Sequence, residues 1–383
     1  MAENTITGLI PDIYEALDIV SRELTGMIPS VSLNASANRA TVGQNIRVDV
    51  EPEGTLVDIT PAMAVPEPAG QTSGFTDIII TKSQASPFGF NGEDELGLNT
   101  GAGYGTVRAG KIAQAIRKLT NQVEADLCGL QSTFSRAVGT AGTTPFGTAN
   151  DYTDASKALQ VLKDNGSPLQ DNQLVINTNA GVNMLGKQAN VSDAGSDSIL
   201  RQGVLLDVNG MPIRESAQVN SVAAVGTTAN AVTTAGHAVG STSIVLKAGG
   251  SGTILAGDVI TFAGDTNQYV VVTGVGAVSG ATIVIAAPGL RQALPVGDKA
   301  ISIVAASARN MAFNRSAIVL ASRQPARPVE GDMALDVTTI TDPRSGLTME
   351  FAMYPGYRKV RYEVALAWGV KNIKPEHTAL LLG

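Results

Sequence analysis

Between Tyr104 and Val138 the apolar residues Ile112, Ile116, Leu119, Val123, Leu127, Leu130 and Phe134 recur in steps of three and four, which keeps one continuous stripe on one side of a helix. Lys111, Gln114, Arg117, Lys118, Asn121, Gln122 and Asp126 fall on the opposite side, and Gly139 with the run 140–147 supplies a stop. At about 1.5 Å per residue such a helix would be roughly 50 Å long. A stripe of that length needs a broad apolar partner, and a sheet laid across it is the economical one. The 383 residues exceed what one core usually holds, so two or three domains are expected.

The flanks sort by period. Thr7 can cap a helix from about Leu9 to Thr25 that carries the stripe Ile13, Leu17, Val20 and Leu24 and an acidic face of Asp12, Glu15, Asp18 and Glu23. The segment 32–45 is polar and reads as a connection. From Ile46 the period drops to two, through Val48 and Val50, and a second strand is expected at 77–82. Between them lie Pro52, Gly54, Pro61, Pro66, Pro68, Gly70 and Gly74, the composition of a long β excursion with an irregular tip. The segment 86–105 reads as another irregular passage.

After the long helix, helices are expected at 153–165 and 180–187, a strand at 174–177, a helical turn near 196–201, and a hairpin from 204 to 215 turning at Asn209-Gly210. From 222 to about 307 the pattern is strand only, at 243–247, 258–262, 268–275, 282–286 and 300–304, with Gly-rich turns between. This predicts an antiparallel β insert. Beyond it come a strand at 317–321, a hairpin of 335–340 with 347–354, and a long closing strand at 357–370.

The chemistry is sparse. A net charge of -7 provides no basic surface for sequence-specific grip on nucleic acid. No stretch reaches the length of a membrane helix, and the first ten residues lack the pattern of an export signal. The single cysteine, Cys128, excludes an intrachain disulfide, and its place in the long helix makes it a packed side chain. His237 and His377 each stand alone in sequence, without the ligand or triad spacing of a metal or nucleophile site. Gly101-Ala102-Gly103-Tyr104-Gly105 lacks a preceding strand and the lysine of a phosphate loop. Glu93 with Glu95 and Glu330 with Asp332 sit where solvated charge is ordinary. Gly257-Asp258, Gly264-Asp265 and Gly297-Asp298 could contribute to a calcium site, but turn chemistry explains them better. No catalytic, cofactor or metal residues are therefore expected.

The order of arm, β excursion, long helix, small α/β unit, β insert and return strands resembles the major capsid (coat) protein of tailed double-stranded-DNA bacteriophages, of HK-97-like fold, in the podovirus-type branch that carries an inserted β domain. The resemblance rests on Ile13 to Leu17 and Met27 to Pro29, on Lys118 to Glu124, on Ala256 to Gly264, and on Asn310 to Phe313 with Ala317 to Ala321. These are packing motifs, and they cover nearly the whole chain.

The resemblance implies an α+β fold divided as 1–45 N-terminal arm, 46–85 extended β loop, 86–150 peripheral domain with the spine helix, 151–221 axial domain, 222–307 inserted antiparallel β-barrel domain, 308–333 axial return and 334–383 peripheral return strands. It implies a structural protein, without enzymatic activity, that self-assembles through pentamers and hexamers into an icosahedral head enclosing double-stranded DNA held without sequence specificity. A scaffolding protein and a portal are the implied partners, the host cytoplasm the place of assembly and the virion capsid the destination. Asp12, Glu15 and Asp18 are the expected scaffold or neighbour contact. Some related shells weld themselves by a Lys–Asn isopeptide bond; Lys82 lies near the loop, but no partner motif accompanies it, so crosslinking is not expected. The rival readings are a β-rich head-decoration or adhesin protein, which the insert alone would suit, and a nucleotide-binding enzyme built on 101–105.

Overall fold

The computed structural model describes residues 23–50, 59, 61, 74–99, 103–149, 151–188, 205–224, 226, 228–229, 232–233 and 235–383. The expected arm helix, its acidic residues, the tip of the β excursion and the expected turn at 196–201 lie outside them, except that residues 23–25 are described and are not helical.

The long helix runs over Tyr104–Gly129. Ile112, Ile116, Leu119, Val123 and Leu127 are buried, as the stripe requires. They pack against Met349, Phe351, Tyr362, Val364, Leu366 and Trp368 of a six-stranded sheet, so the predicted sheet across the helix is present. The helix is shorter than its stripe, about 39 Å. A 3-10 turn at Leu130–Thr133 tightens its end, where the Thr133 hydroxyl donates to the Leu130 carbonyl at 2.7 Å. Arg136–Gly139 then becomes a strand, because Thr378–Leu382 offers it a parallel ladder. Phe134 still reaches the core, which is why the periodicity ran past the true end.

The six-stranded sheet has the order Ser32–Ala40, Ile318–Pro325, Lys359–Asn372, Thr348–Gly356, Asp336–Thr341, with Lys82–Asn91 pairing along Lys359–Trp368. Two of these strands depart from the sequence reading. Ser32–Ala40, expected as a connection, pairs parallel with Ile318–Pro325 at one edge of the sheet, where polar side chains are tolerated. Lys82–Asn91 replaces the expected irregular passage; its Pro87 sits on an edge strand, where the missing N–H costs no ladder bond. A helix, Gly92–Asn99, follows it directly. Asp94 N–H donates to Asn91 Oδ1 at 2.7 Å and Asn91 N–H to Asp94 Oδ2 at 3.2 Å, a reciprocal cap.

The second sheet is larger. Its main path runs Val232–Thr233, Lys299–Ile303, Val259–Phe262, Gln268–Thr273, Arg136–Gly139, Thr378–Leu382, Ser307–Asn314, Asn172–Ile176, Ile213–Glu215. Helices Thr153–Asp164 and Thr178–Lys187 cover one end through Leu159, Leu162, Ala180 and Met184 against Leu174, Ile176, Ala312 and Leu381. The strands within 243–303 pair antiparallel and enclose an apolar cluster of their own, including Ile260, Phe262, Tyr269, Ile283 and Leu294.

Three further differences come from tertiary pairing. Val208 and Met211 bridge across Asn209 (φ 56°) and Gly210 (φ 74°), the expected turn, but Ile213–Glu215 then leaves to pair parallel with Asn172–Ile176. Ser307–Asn314 is a fully buried strand with no period-two signature to find. Thr378–Leu382, a strand beyond the closing one expected at 357–370, pairs with both Ser307–Asn314 and Arg136–Gly139 in the larger sheet.

Candidate assembly surfaces

The β excursion is real at its base. Asn45–Val50 and Gly74–Ile79 pair antiparallel in full register, as a two-stranded ribbon outside both main sheets. Ile46, Val48, Ile78 and Ile80 settle at its root on Ala40, Val319, Ala321 and Ala367. Backbone bonds fix the root: Gly43 N–H donates to the Ile80 carbonyl at 2.9 Å, and Thr81 N–H to the Trp368 carbonyl at 3.1 Å. The ribbon crosses Lys359–Asn372 over Gly369, where a Cβ would lie 2.1 Å from the Ile79 carbonyl oxygen. Only glycine permits that approach. Phe75 and Ile79, in contrast, are at least half exposed on the ribbon. Arg47 stacks over the Phe75 ring at 3.7 Å and pairs with Asp77.

Lys82, next to the ribbon, donates to Asp126 Oδ1 at 2.6 Å, while the Trp368 indole donates to Asp126 Oδ2 at 2.9 Å. The long helix thus holds the lysine and the sheet through one carboxylate.

A second anchor receives the chain as it leaves the arm. Glu124 is fully buried, and its carboxylate accepts from Gly26 N–H and Met27 N–H at 2.7 Å, Ile28 N–H at 3.0 Å and the Ser216 hydroxyl at 2.7 Å. A buried charge is tolerable only when its lone pairs are filled in this way. About two helical turns away, Arg117 holds Glu23 through its Nε at 2.8 Å and through a second, shorter contact from Nη2. That guanidinium bond lowers the Glu23 carboxyl to about 2. Beside the clamp, burial and the Glu124 charge push the Cys128 thiol up to about 12, so it is a packed, unreactive group.

A third contact ties the strand leading to the ribbon back to the sheet. Glu350, almost fully buried, pairs with Arg39 at 2.6 Å and Arg327 at 2.8 Å.

The remaining residues singled out in the sequence fall apart in space. Asp12, Glu15 and Asp18 lie outside the described residues, as do Gly101 and Ala102. Asp258 accepts from Gly226 and Leu255 N–H, Asp265 from Asn267 N–H and the Tyr269 hydroxyl, and Asp298 from Lys247, so each carboxylate serves its own locality. His237 Nε2 lies 3.2 Å from the Thr233 hydroxyl, and burial lowers the basicity of both His237 and His377. Among the described residues no group of three or more His, Cys, Asp or Glu could hold a metal, and no helix is long and apolar enough to cross a membrane. Glu124 and Glu350 were not legible as anchors, because their partners are 98 and 311 positions away at Gly26 and Arg39.

A spine helix crossed by a strand layer, with a second α/β layer and a β insert, defines the class: an α+β chain of HK-97-like capsid fold, as the sequence resemblance implied. The capsid structure of the cyanophage P-SCSP1u superposes over 95% of this chain and 89% of its own, with a TM-score of 0.50 at 10% identity. The mature capsid of bacteriophage PhiM1 aligns over 95% and 87% (TM-score 0.46, 11% identity), and Mycobacterium phage Che8 over 90% and 88% (TM-score 0.43, 16% identity). The sequence matches no protein-family profile and no curated protein sequence.

Proposed function

We propose that this chain is the structural unit of an icosahedral phage head, a major capsid protein that assembles with copies of itself around double-stranded DNA. The observation that carries the reading is the ribbon of Asn45–Val50 and Gly74–Ile79, rooted firmly, paired with no other strand among the described residues, and with Phe75 and Ile79 at least half exposed. Exposed apolar side chains on a separate two-stranded ribbon are suited to cover by a neighbouring copy, since such a ribbon is marginal in water. The shared fold with the cyanophage capsid supports the same role.

In this reading the helix Tyr104–Gly129 is the spine of a peripheral domain and residues 151–221 with 308–333 form an axial domain where subunits meet in fives and sixes. Residues 222–307 form the podovirus-type insert. The net charge of -7 suits a container whose wall must not grip phosphates. A scaffolding protein and a portal are the expected partners, assembly takes place in the host cytoplasm, and the protein carries no enzymatic activity. Decoration or adhesin roles fit the insert but leave the spine and ribbon unexplained.

Negative-stain microscopy of the purified chain tests the reading. Shells, or rings of five and six, are expected. Phe75→Glu should abolish them while leaving the emission of Trp368, the single and fully buried tryptophan, unchanged. Monomers alone at every concentration, with scaffold co-expressed, would overturn it.

A further inference from the structure

The strand Lys82–Asn91 is an edge of the six-stranded sheet: it pairs with Lys359–Asn372 on one side and with no strand among the described residues on the other. Which of its groups face outward follows from the ladder. Gly92 N–H donates to the Arg358 carbonyl at 3.3 Å, so even-numbered positions bond inward, whereas Asn91 N–H donates to Asp94 of the following helix and Pro87 has no N–H to give. In an antiparallel pair the two kinds of position alternate. Ser83, Ala85 and Gly89 therefore turn their N–H and carbonyl groups away from the sheet, and Pro87 leaves one gap in that row of donors.

This edge lies beside a basic side of the spine. Lys82 bonds Asp126 at one end and Phe90 packs edge-on to Tyr104 at the other, so the strand runs along Tyr104–Gly129 in the opposite direction. Between them is a cleft of about 450 Å³, walled by Ser86, Pro87 and Phe88 and by Lys111, Gln114 and Lys118. Arg117 and Glu23 also line it, but they neutralise one another. Lys111 and Lys118 are exposed and have no ion-pair partner among the described residues, so the cleft keeps two positive charges. Phe88, the ring in its wall, is already stacked on Tyr362 at 5.5 Å.

We propose that this cleft takes an extended acidic segment of a different protein, added to the free edge as a further strand with its carboxylates against Lys111 and Lys118. A peptide laid on an open edge gains main-chain hydrogen bonds from the strand and specificity from its alternate side chains. Those side chains repeat about every 7 Å on one face, and the two lysines stand two turns, about 10 Å, apart on the helix. Two successive acidic residues facing the helix thus fall within reach of the long, flexible lysine stems. A nucleic-acid strand would meet the same lysines, but it leaves the outward groups of Ser83, Ala85 and Gly89 unused and finds no free ring on which to stack a base. The contact needs one folded chain, so it stands whether or not the chain builds shells.

The test is fluorescence anisotropy of the labelled peptide Val-Glu-Val-Glu-Val-Glu-Val-Glu, titrated with the full-length, unassembled protein, followed by amide hydrogen exchange of the complex. Saturable binding is expected, with slower exchange at Ser83, Ala85 and Gly89 and unchanged exchange at Ser86 and Phe88, whose N–H groups already bond inward. The variant K111E/K118E should bind about tenfold more weakly, the loss expected for two exposed ion pairs, with Trp368 emission preserved. No saturable binding would overturn the proposal, and so would slow exchange at Ser83, Ala85 and Gly89 before peptide is added, which would show the edge already covered. Equal binding by the variant, or of the counterpart peptide with lysine in place of glutamate, would show that charge is not recognised and would overturn it too. Tighter binding of a thymidine decanucleotide, lost in the same variant, would assign the cleft to phosphates instead.

Discussion

Replacing Glu124 by alanine removes the acceptor for three backbone N–H groups and one hydroxyl in a site with no exposed surface. If residues 26–28 stayed in place, three buried donors would be orphaned at about 1–3 kcal/mol each. If the segment instead peeled away to rehydrate them, it would expose Met27, Ile28 and Val31, all nearly fully buried, at about 1.5–3 kcal/mol each. That second figure is an upper bound, because an unfolded segment keeps some burial. The chain takes the cheaper route, so the expected loss is about 3–5 kcal/mol, the range for stripping one partner from a buried charge. The loss is local, and amide hydrogen exchange reads it directly. At about 1.4 kcal/mol per tenfold change, the amides of Gly26, Met27 and Ile28 should exchange roughly a hundred to several thousand times faster. Amides within Lys359–Asn372 should be little changed. Glu124→Gln should fall between, since one oxygen remains while its NH₂ faces a donor. Acceleration of less than tenfold at residues 26–28 in the alanine variant would refute the account of the clamp.

Two other outcomes follow from the same surfaces. The carboxyl of Glu23 is held near 2 in the fold against an ordinary 4.5, so its contribution is complete above about pH 4.5 and fades as pH falls toward 2. Carboxyl ¹³C shifts should place the Glu23 midpoint near 2, and a midpoint near 4.5 would show that Arg117 does not engage it. Gly369→Ala sets a Cβ against the Ile79 carbonyl at 2.1 Å, an overpacking worth about 1–3 kcal/mol. It should loosen the ribbon root, seen as faster exchange of the Ile80 and Thr81 amides, and wild-type exchange there would sink the argument.

The spine was legible because a helix buried on one face writes its period into the sequence, and Ile112 to Leu127 do so without interruption. Its end was not, because Phe134 fits the period and is buried while the backbone around it answers to the strand Thr378–Leu382. Ser32–Ala40 and Lys82–Asn91 were obscured by serine, asparagine and proline that edge strands accept. Glycines reveal turns readily, as Asn209-Gly210 did, but Gly369 lies inside a strand and its purpose depends on a ribbon almost 300 positions earlier. The anchoring carboxylates were hidden for a similar reason. Glu124 bonds to main-chain N–H groups, which every sequence contains and none advertises.

Thr378–Leu382 is bonded on one side to Arg136–Gly139 and on the other to Ser307–Asn314. It is therefore the keystone between the half of the larger sheet that continues through Gln268–Thr273 into the insert and the half that carries the helices. Among the described residues no other ladder joins the two halves, so the hydrogen-bonded continuity of the larger sheet rests on these five residues.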